Sequence, residues 1–126
     1  MKKIIFTEKA PIPIGPYSQA VLAGNTLYVS GQIPFNPVTG NLVLDSIEEQ
    51  TQQVMENLQT VLEEAGMSFE NVVKATIFIT DMNDFSKINE VYGRYFSEEN
   101  APARETVQVS KLPRGVNVEI SVIAVK

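Results

Sequence analysis

The stretch VNVEISVIAV, Val116 to Val125, sets the strongest constraint on the fold. At a period of two, Val116, Val118, Ile120, Val122 and Ala124 share one face. Asn117, Glu119, Ser121, Ile123 and Val125 share the other. Both faces carry apolar residues, so neither reads as plainly solvent-facing. The chain has 126 residues, one domain's worth, and must cover such a sheet with what remains.

Few elements are left for that task. Ser46 to Ala65 reads as a helix: Ser46 and Glu49 form a capping box, and Val54, Leu58, Val61, Leu62 and Ala65 repeat at helical spacing. Gly66 stops it, and QTQQ with the glutamates makes the opposite face polar. A second helix spans about Asp84 to Phe96, with Phe85, Ile88, Val91 and Tyr92 in its apolar stripe. Tyr95 and Phe96 extend that stripe. QAVLAGNTLYVSGQI reads as a hairpin turning at Gly24-Asn25 and ending at Ser30-Gly31, and FNPVTGNLV reads as a loop. NVVKATIFITDM alternates as a strand with Val73, Ala75, Ile77 and Ile79 on one side. Glu105 to Ser110 and Val116 to Val125 are joined by KLPRG, a turn sequence.

The predicted order is therefore ββ(β)–α–β–α–ββ over residues 1–126. It implies an α+β fold with one mixed, mostly antiparallel sheet and two helices packed on one face. The second sheet face has no cover within the chain. Another copy of the chain is the economical cover, because an exposed apolar sheet aggregates.

Composition narrows the chemistry. The chain has no cysteine and no histidine. Disulfides, thiolate catalysis and zinc–sulfur sites are excluded, along with the commonest general base. No acidic cluster has metal-ligand spacing, and no dinucleotide or P-loop fingerprint occurs. Ten basic residues stand against fifteen acidic ones, a net charge of −5. That balance argues against a nucleic-acid partner, which calls for a basic stripe. The apolar run in MKKIIFTEK is too short for a secretory signal and no run reaches membrane-spanning length, so a cytoplasmic protein without membrane contact is expected.

Two ionisable residues stand out. Arg104 follows Pro102 at the mouth of a strand. It reads either as a surface arginine or as a bidentate carboxylate clamp. Glu119 interrupts the apolar strand, as a structural ion-pair partner, a solvated glutamate, or a carboxylate that takes a proton from water. If the last two strands pair, Glu119 lies near the level of Arg104, whose cation would keep it ionised. Ser30-Gly31 offers a hydroxyl and an approachable backbone. The prolines of APIPIGPYS force an extended path. That segment reads as a surface loop or as a rigid mount for Tyr17.

IGPYSQAV, YVSGQIP, FITDMNDFSKINEVY, APARETVQVSKLP and VNVEISVIAV together resemble the RidA, or YjgF, family of enamine/imine deaminases, in the same order and over nearly the whole chain. The resemblance implies a chorismate-mutase-like fold and a homotrimer whose sheets form a central barrel, with sites between subunits. It implies cofactor-independent hydrolysis of 2-aminoacrylate-type enamines and 2-imino acids to 2-keto acids and ammonia. Arg104 takes the place of the carboxylate-binding arginine and Glu119 that of the water-positioning glutamate. Tyr17, Ser30, Gly31 and Asn89 fall on substrate-binding positions. Thr106 stands where many members have cysteine, which imine hydration does not require. Glu105 follows the arginine, and strand alternation is expected to turn it away from the clamp. A non-catalytic trimer that binds carboxylate metabolites is the alternative.

Overall fold

The computed structural model describes residues 1–126. Its main sheet has the strand order β1-β2-β3-β8-β6-β7. These are β1 (Lys2–Ile5), β2 (Ala20–Ala23), β3 (Thr26–Gln32), β6 (Val72–Ile79), β7 (Ala103–Gln108) and β8 (Val118–Val125). A small ladder pairs β4 (Phe35–Asn36) with β5 (Asn41–Leu42). Helices α1 (Ile47–Glu64) and α2 (Phe85–Tyr92) complete the fold. All contacts in the main sheet are antiparallel except β6 with β7. The α+β class with a mixed sheet and two helices is as expected. No helix is long and apolar enough to cross a membrane.

The periodicity of β8 translates directly into packing. Val118, Ile120, Val122 and Ala124 are buried beneath the helices, while Glu119, Ser121 and Ile123 are only half-buried on the opposite face. That opposite face carries Tyr28 paired with Ile123, and Val107 paired with Phe78. Tyr28 and Val107 are exposed at 51% and 42%. The chain therefore leaves an apolar sheet face bare.

Helix α1 begins where the sequence places it, with the Ser46 hydroxyl accepting from the Glu49 amide at 3.1 Å, but the reciprocal bond of the expected capping box, from the Ser46 amide to the Glu49 side chain, does not form. Gly66 lies just beyond its end with φ of 72°, a backbone that L-residues resist. Its polar positions are not all outward. Gln50 and Thr51 are buried. Gln50 donates to the Asn117 side chain at 3.0 Å and accepts from the Asn117 amide at 3.1 Å. Asn117 in turn donates to Thr80 at 2.9 Å. Hydropathy assigns glutamine to water, but a buried amide is stable when every polar atom has a partner.

Several boundaries differ from the sequence reading. Strands β7 and β8 do not pair; β6 lies between them, parallel to β7 and antiparallel to β8. Helix α2 is the cause, because a crossover helix returns the chain parallel to the strand it left. Strand β3 does not end at Ser30-Gly31 but runs to Gln32 through an irregularity between Val29 and Gln32. A register shift between Val72 and Lys74 likewise buries Val72 and exposes Val73. The expected loop after Pro34 closes into β4–β5, held by the Asn36 side chain accepting from the Val38 and Thr39 amides. Helix α2 stops at Tyr92, where Gly93 takes the C-cap. Tyr95 and Phe96 lie beyond it and pack against Phe69 at 5.1 and 5.3 Å.

Candidate functional site

Arg104 leaves β7 on the helix side of the sheet, beside Ala75 of β6. Three residues of α2 receive it. Asn89 accepts a hydrogen bond from the guanidinium at 2.7 Å. The guanidinium carbon lies 4.9 Å from the Tyr92 ring centroid and 5.6 Å from that of Phe85. Phe85, Asn89 and Tyr92 are four and three residues apart, so they share one helix face. That spacing was legible, but only Asn89 was singled out from the sequence. The arrangement fixes a fork of donors, and no carboxylate pairs with it. Asn89, Tyr92, Pro102 and Arg104 line an open cleft with Phe96 and Ser97.

Tyr92 is buried and its hydroxyl has no partner. Burial pushes its phenol above the usual range, and the Arg104 cation pulls it partly back. Thr106 lies beside Ile77, two residues from Arg104 and on the same face. Its hydroxyl is also buried without a partner. Glu105 points to the opposite face and pairs with Lys74 at 3.0 Å. It leaves the Arg104 fork free.

A second group of candidates gathers elsewhere. Gln19 was not picked out from the sequence, yet it ties the Pro-rich segment to the sheet. It is 2% exposed, accepts from the Thr7 amide at 2.7 Å, and donates to the Thr7 and Pro11 carbonyls at 2.9 Å. Only its sequence position, at the end of a Pro-rich run, hinted at the role. The Ser30 hydroxyl donates to the Ser18 carbonyl at 2.5 Å and so is committed to the same loop. Tyr17 and Gly31 line one cleft, with Ile14 and Ile33. Gly31 presses against Glu119: a Cβ there would lie 2.7 Å from the Glu119 carboxyl carbon. Any other residue at position 31 would displace that side chain.

Arg104 and Glu119 do not meet within one chain. Arg104 sits beside Ala75 and Glu119 beside Phe78. Those two β6 positions are three apart, an odd number, so the side chains leave opposite faces of the sheet. The expected pairing of the two within one subunit is thus overturned. Glu119 has no cation beside it, and burial alone pushes its carboxyl above the usual range. The candidate residues therefore fall into two groups, two candidate half-sites, with Arg104 and Glu119 on opposite faces of the sheet. Arg104, Asn89 and Thr106 form one; Tyr17, Ser30, Gly31 and Glu119 form the other.

A family model described as Endoribonuclease L-PSP matches residues 7–126. A RutC family protein of Pyrococcus horikoshii is 56% identical over 126 residues, covering 100% of this chain and 99% of the relative. The 2-iminobutanoate/2-iminopropanoate deaminase of Bos taurus is 49% identical over 126 residues, covering 100% of this chain and 91% of the relative. A structure of a Rid family protein from Yersinia pestis superposes with a TM-score of 0.97 at 52% identity, over the full length of both chains. That of TdcF from E. coli, with bound serine, gives 0.92 at 46% identity over 98% of each chain. The chain belongs to the Endoribonuclease L-PSP family, also known as the RidA or YjgF family.

Proposed function

We propose that this protein is a 2-imino acid and enamine deaminase, acting on 2-iminobutanoate- and 2-aminoacrylate-type intermediates. The observation that carries the reading is the Arg104 guanidinium. It is held by Asn89, backed by Tyr92, open to a cleft and free of any carboxylate. A fixed bidentate fork in an acidic protein suits a small carboxylate ligand.

The two half-sites complete each other only when a second copy of the chain brings its Glu119 to Arg104. A homotrimer with its sheets in a central barrel does this and covers the bare apolar face. In such a site Arg104 holds the substrate carboxylate and Asn89 keeps the fork in line. The Thr106 hydroxyl, otherwise unpartnered, is available to the substrate. Tyr17 walls the pocket. Glu119 accepts a hydrogen bond from water and aims its oxygen at the C=N carbon. The water oxygen bonds to that carbon as one water proton passes through Glu119 to the nitrogen. The C–N bond of the resulting carbinolamine then breaks, the hydroxyl proton leaving with the nitrogen. The products are a 2-keto acid and ammonia, with no redox change. Positioning supplies most of the acceleration, because imines hydrate readily.

The family model's description raises RNA cleavage as a second activity. The net charge of −5 and the lack of histidine weigh against it.

A coupled assay tests the proposal. A Ser/Thr dehydratase that depends on pyridoxal phosphate generates the enamine, and 2-keto acid release is timed with and without this protein. Faster release is the expected result, and Arg104→Ala should abolish it. Tight calorimetric binding of 2-ketobutyrate without faster release would instead mark a non-catalytic carboxylate-binding protein.

A further inference from the structure

The chain has three arginines: Arg94, Arg104 and Arg114. Arg94 pairs with Glu90 at 3.6 Å. The other two meet no carboxylate, and each lies against an aromatic ring at the edge of a cleft. Arg104 occupies one half-site. Arg114 occupies the other, its guanidinium carbon 5.4 Å from the Phe35 ring centroid, and lines the same cleft as Tyr17 and Gly31.

Its backbone is unusual. Arg114 is the one non-glycine residue with positive φ, at 60°. Arginine is not among the residues that tolerate this region best; glycine or asparagine would make the turn more easily. Strained backbone at the rim of a cleft suggests that the side chain is retained for a purpose. The cleft has no acidic residue, and its remaining walls are largely apolar, including Ile12, Ile14 and Ile33. The lining runs from Gly31, against which Glu119 packs, to Phe35, over which Arg114 lies. A substrate whose reacting carbon is near Glu119 would extend its side chain along this wall toward a second guanidinium.

We infer that Arg114 is a specificity-determining residue that takes a second carboxylate, at the far end of the substrate's side chain. Building on the deaminase reading above, this makes the imines of dicarboxylic amino acids favoured substrates over their uncharged amide counterparts. The guanidinium lies against the Phe35 ring at the exposed rim, where its planar fork matches a carboxylate.

The test uses the full-length protein and imines made in situ by amino-acid oxidases from glutamate and from glutamine. The two differ in one terminal group, charged in the first and neutral in the second. The wild type should show kcat/KM at least about tenfold higher for the acidic imine. Arg114→Gly suits the left-handed backbone and removes the cation, so folding is not put at risk. It should bring the ratio to about one. Arg114→Lys should restore most of the preference. A wild-type ratio near one, or an unchanged ratio in Arg114→Gly, overturns the inference. If the wild type hydrolyses neither imine, the dehydratase-coupled assay decides the deaminase reading and Arg114 is judged by calorimetry. Arg114→Gly should then weaken 2-ketoglutarate binding about tenfold more than 2-ketobutyrate binding. Equal changes in the two overturn the assignment.

Discussion

Single residues divide the chemistry here by their surroundings. Arg104 is held by Asn89 and Tyr92, which cost it no net charge. Two charge-assisted hydrogen bonds to a substrate carboxylate contribute roughly 1.5–3 kcal/mol each. Arg104→Ala should therefore lower kcat/KM by about 10²–10⁴, measured in the dehydratase-coupled assay. Asn89→Ala should cost about tenfold, read mainly in KM, because the fork loses its support but keeps its charge. Glu119 behaves differently. Burial raises its pKa in the folded chain, so the folded state binds the proton more readily than the unfolded one. Its contribution favours the fold at low pH and is lost as pH rises from the unfolded pKa through the folded one. Ionising this buried carboxyl thus costs the fold stability. Glu119→Gln should raise Tm at pH 7 and flatten that slope, while lowering turnover by about 10²–10⁴. A pH series of thermal melts beside a pH–rate profile checks both. In the wild type, the rate should fall as pH drops below the raised pKa.

At the scale of elements, β6 is the organiser. It stands between β7 and β8, and its alternation sends Arg104 and Glu119 to opposite faces. Helix α2 serves two ends, as the crossover that makes β7 parallel and as the cradle of the Arg104 guanidinium. The Pro-rich segment is an element without regular structure, and Gln19 gives it one shape. Gln19→Ala leaves the buried Thr7 amide and carbonyl and the part-buried Pro11 carbonyl without their partner. It should destabilise the protein by about 1–3 kcal/mol. It should also loosen Tyr17, visible as faster amide exchange across residues 7–19 and a raised KM. The capping of α1, the two-fold alternation of β8 and the turn at Gly24 were all legible from local sequence. Each rests on contacts within a few residues. The partner of β7 was not legible, since it depends on where a crossover returns the chain. Gln50 was misread for a similar reason: its partners lie 67 residues away.

For the whole molecule, the proposed function joins the bare sheet face to the two separated groups of candidate residues. In the proposed trimer a second copy would cover Tyr28, Phe78, Val107 and Ile123 and bring its Glu119 to Arg104. Replacing Ile123 with Glu should dissociate the assembly and abolish activity together, measured by light scattering and the coupled assay. A mixing experiment probes the division of labour more directly. Arg104→Ala and Glu119→Gln chains, each inactive alone, are unfolded together in equal amounts and refolded. Interfaces that draw Arg104 from one chain and Glu119 from the other are then intact in roughly a quarter of cases. Recovery of about that share of wild-type activity is expected. No recovery would mean that each subunit's site is self-contained.

The sequence alone determined the caps of α1, the strand periodicities, the absence of thiol and imidazole chemistry, and the identity of the two ionisable candidates. These follow from residue type and spacing, which act over one or two turns of chain. It also required a cover for the second sheet face, because apolar area must be buried somewhere. Only the tertiary structure decided that Arg104 and Glu119 belong to different faces, and that Glu105 is drawn away to Lys74. It alone placed Arg114 over Phe35 beside Gly31. Strand order and register fix those relations, and they arise from packing between residues far apart in the chain.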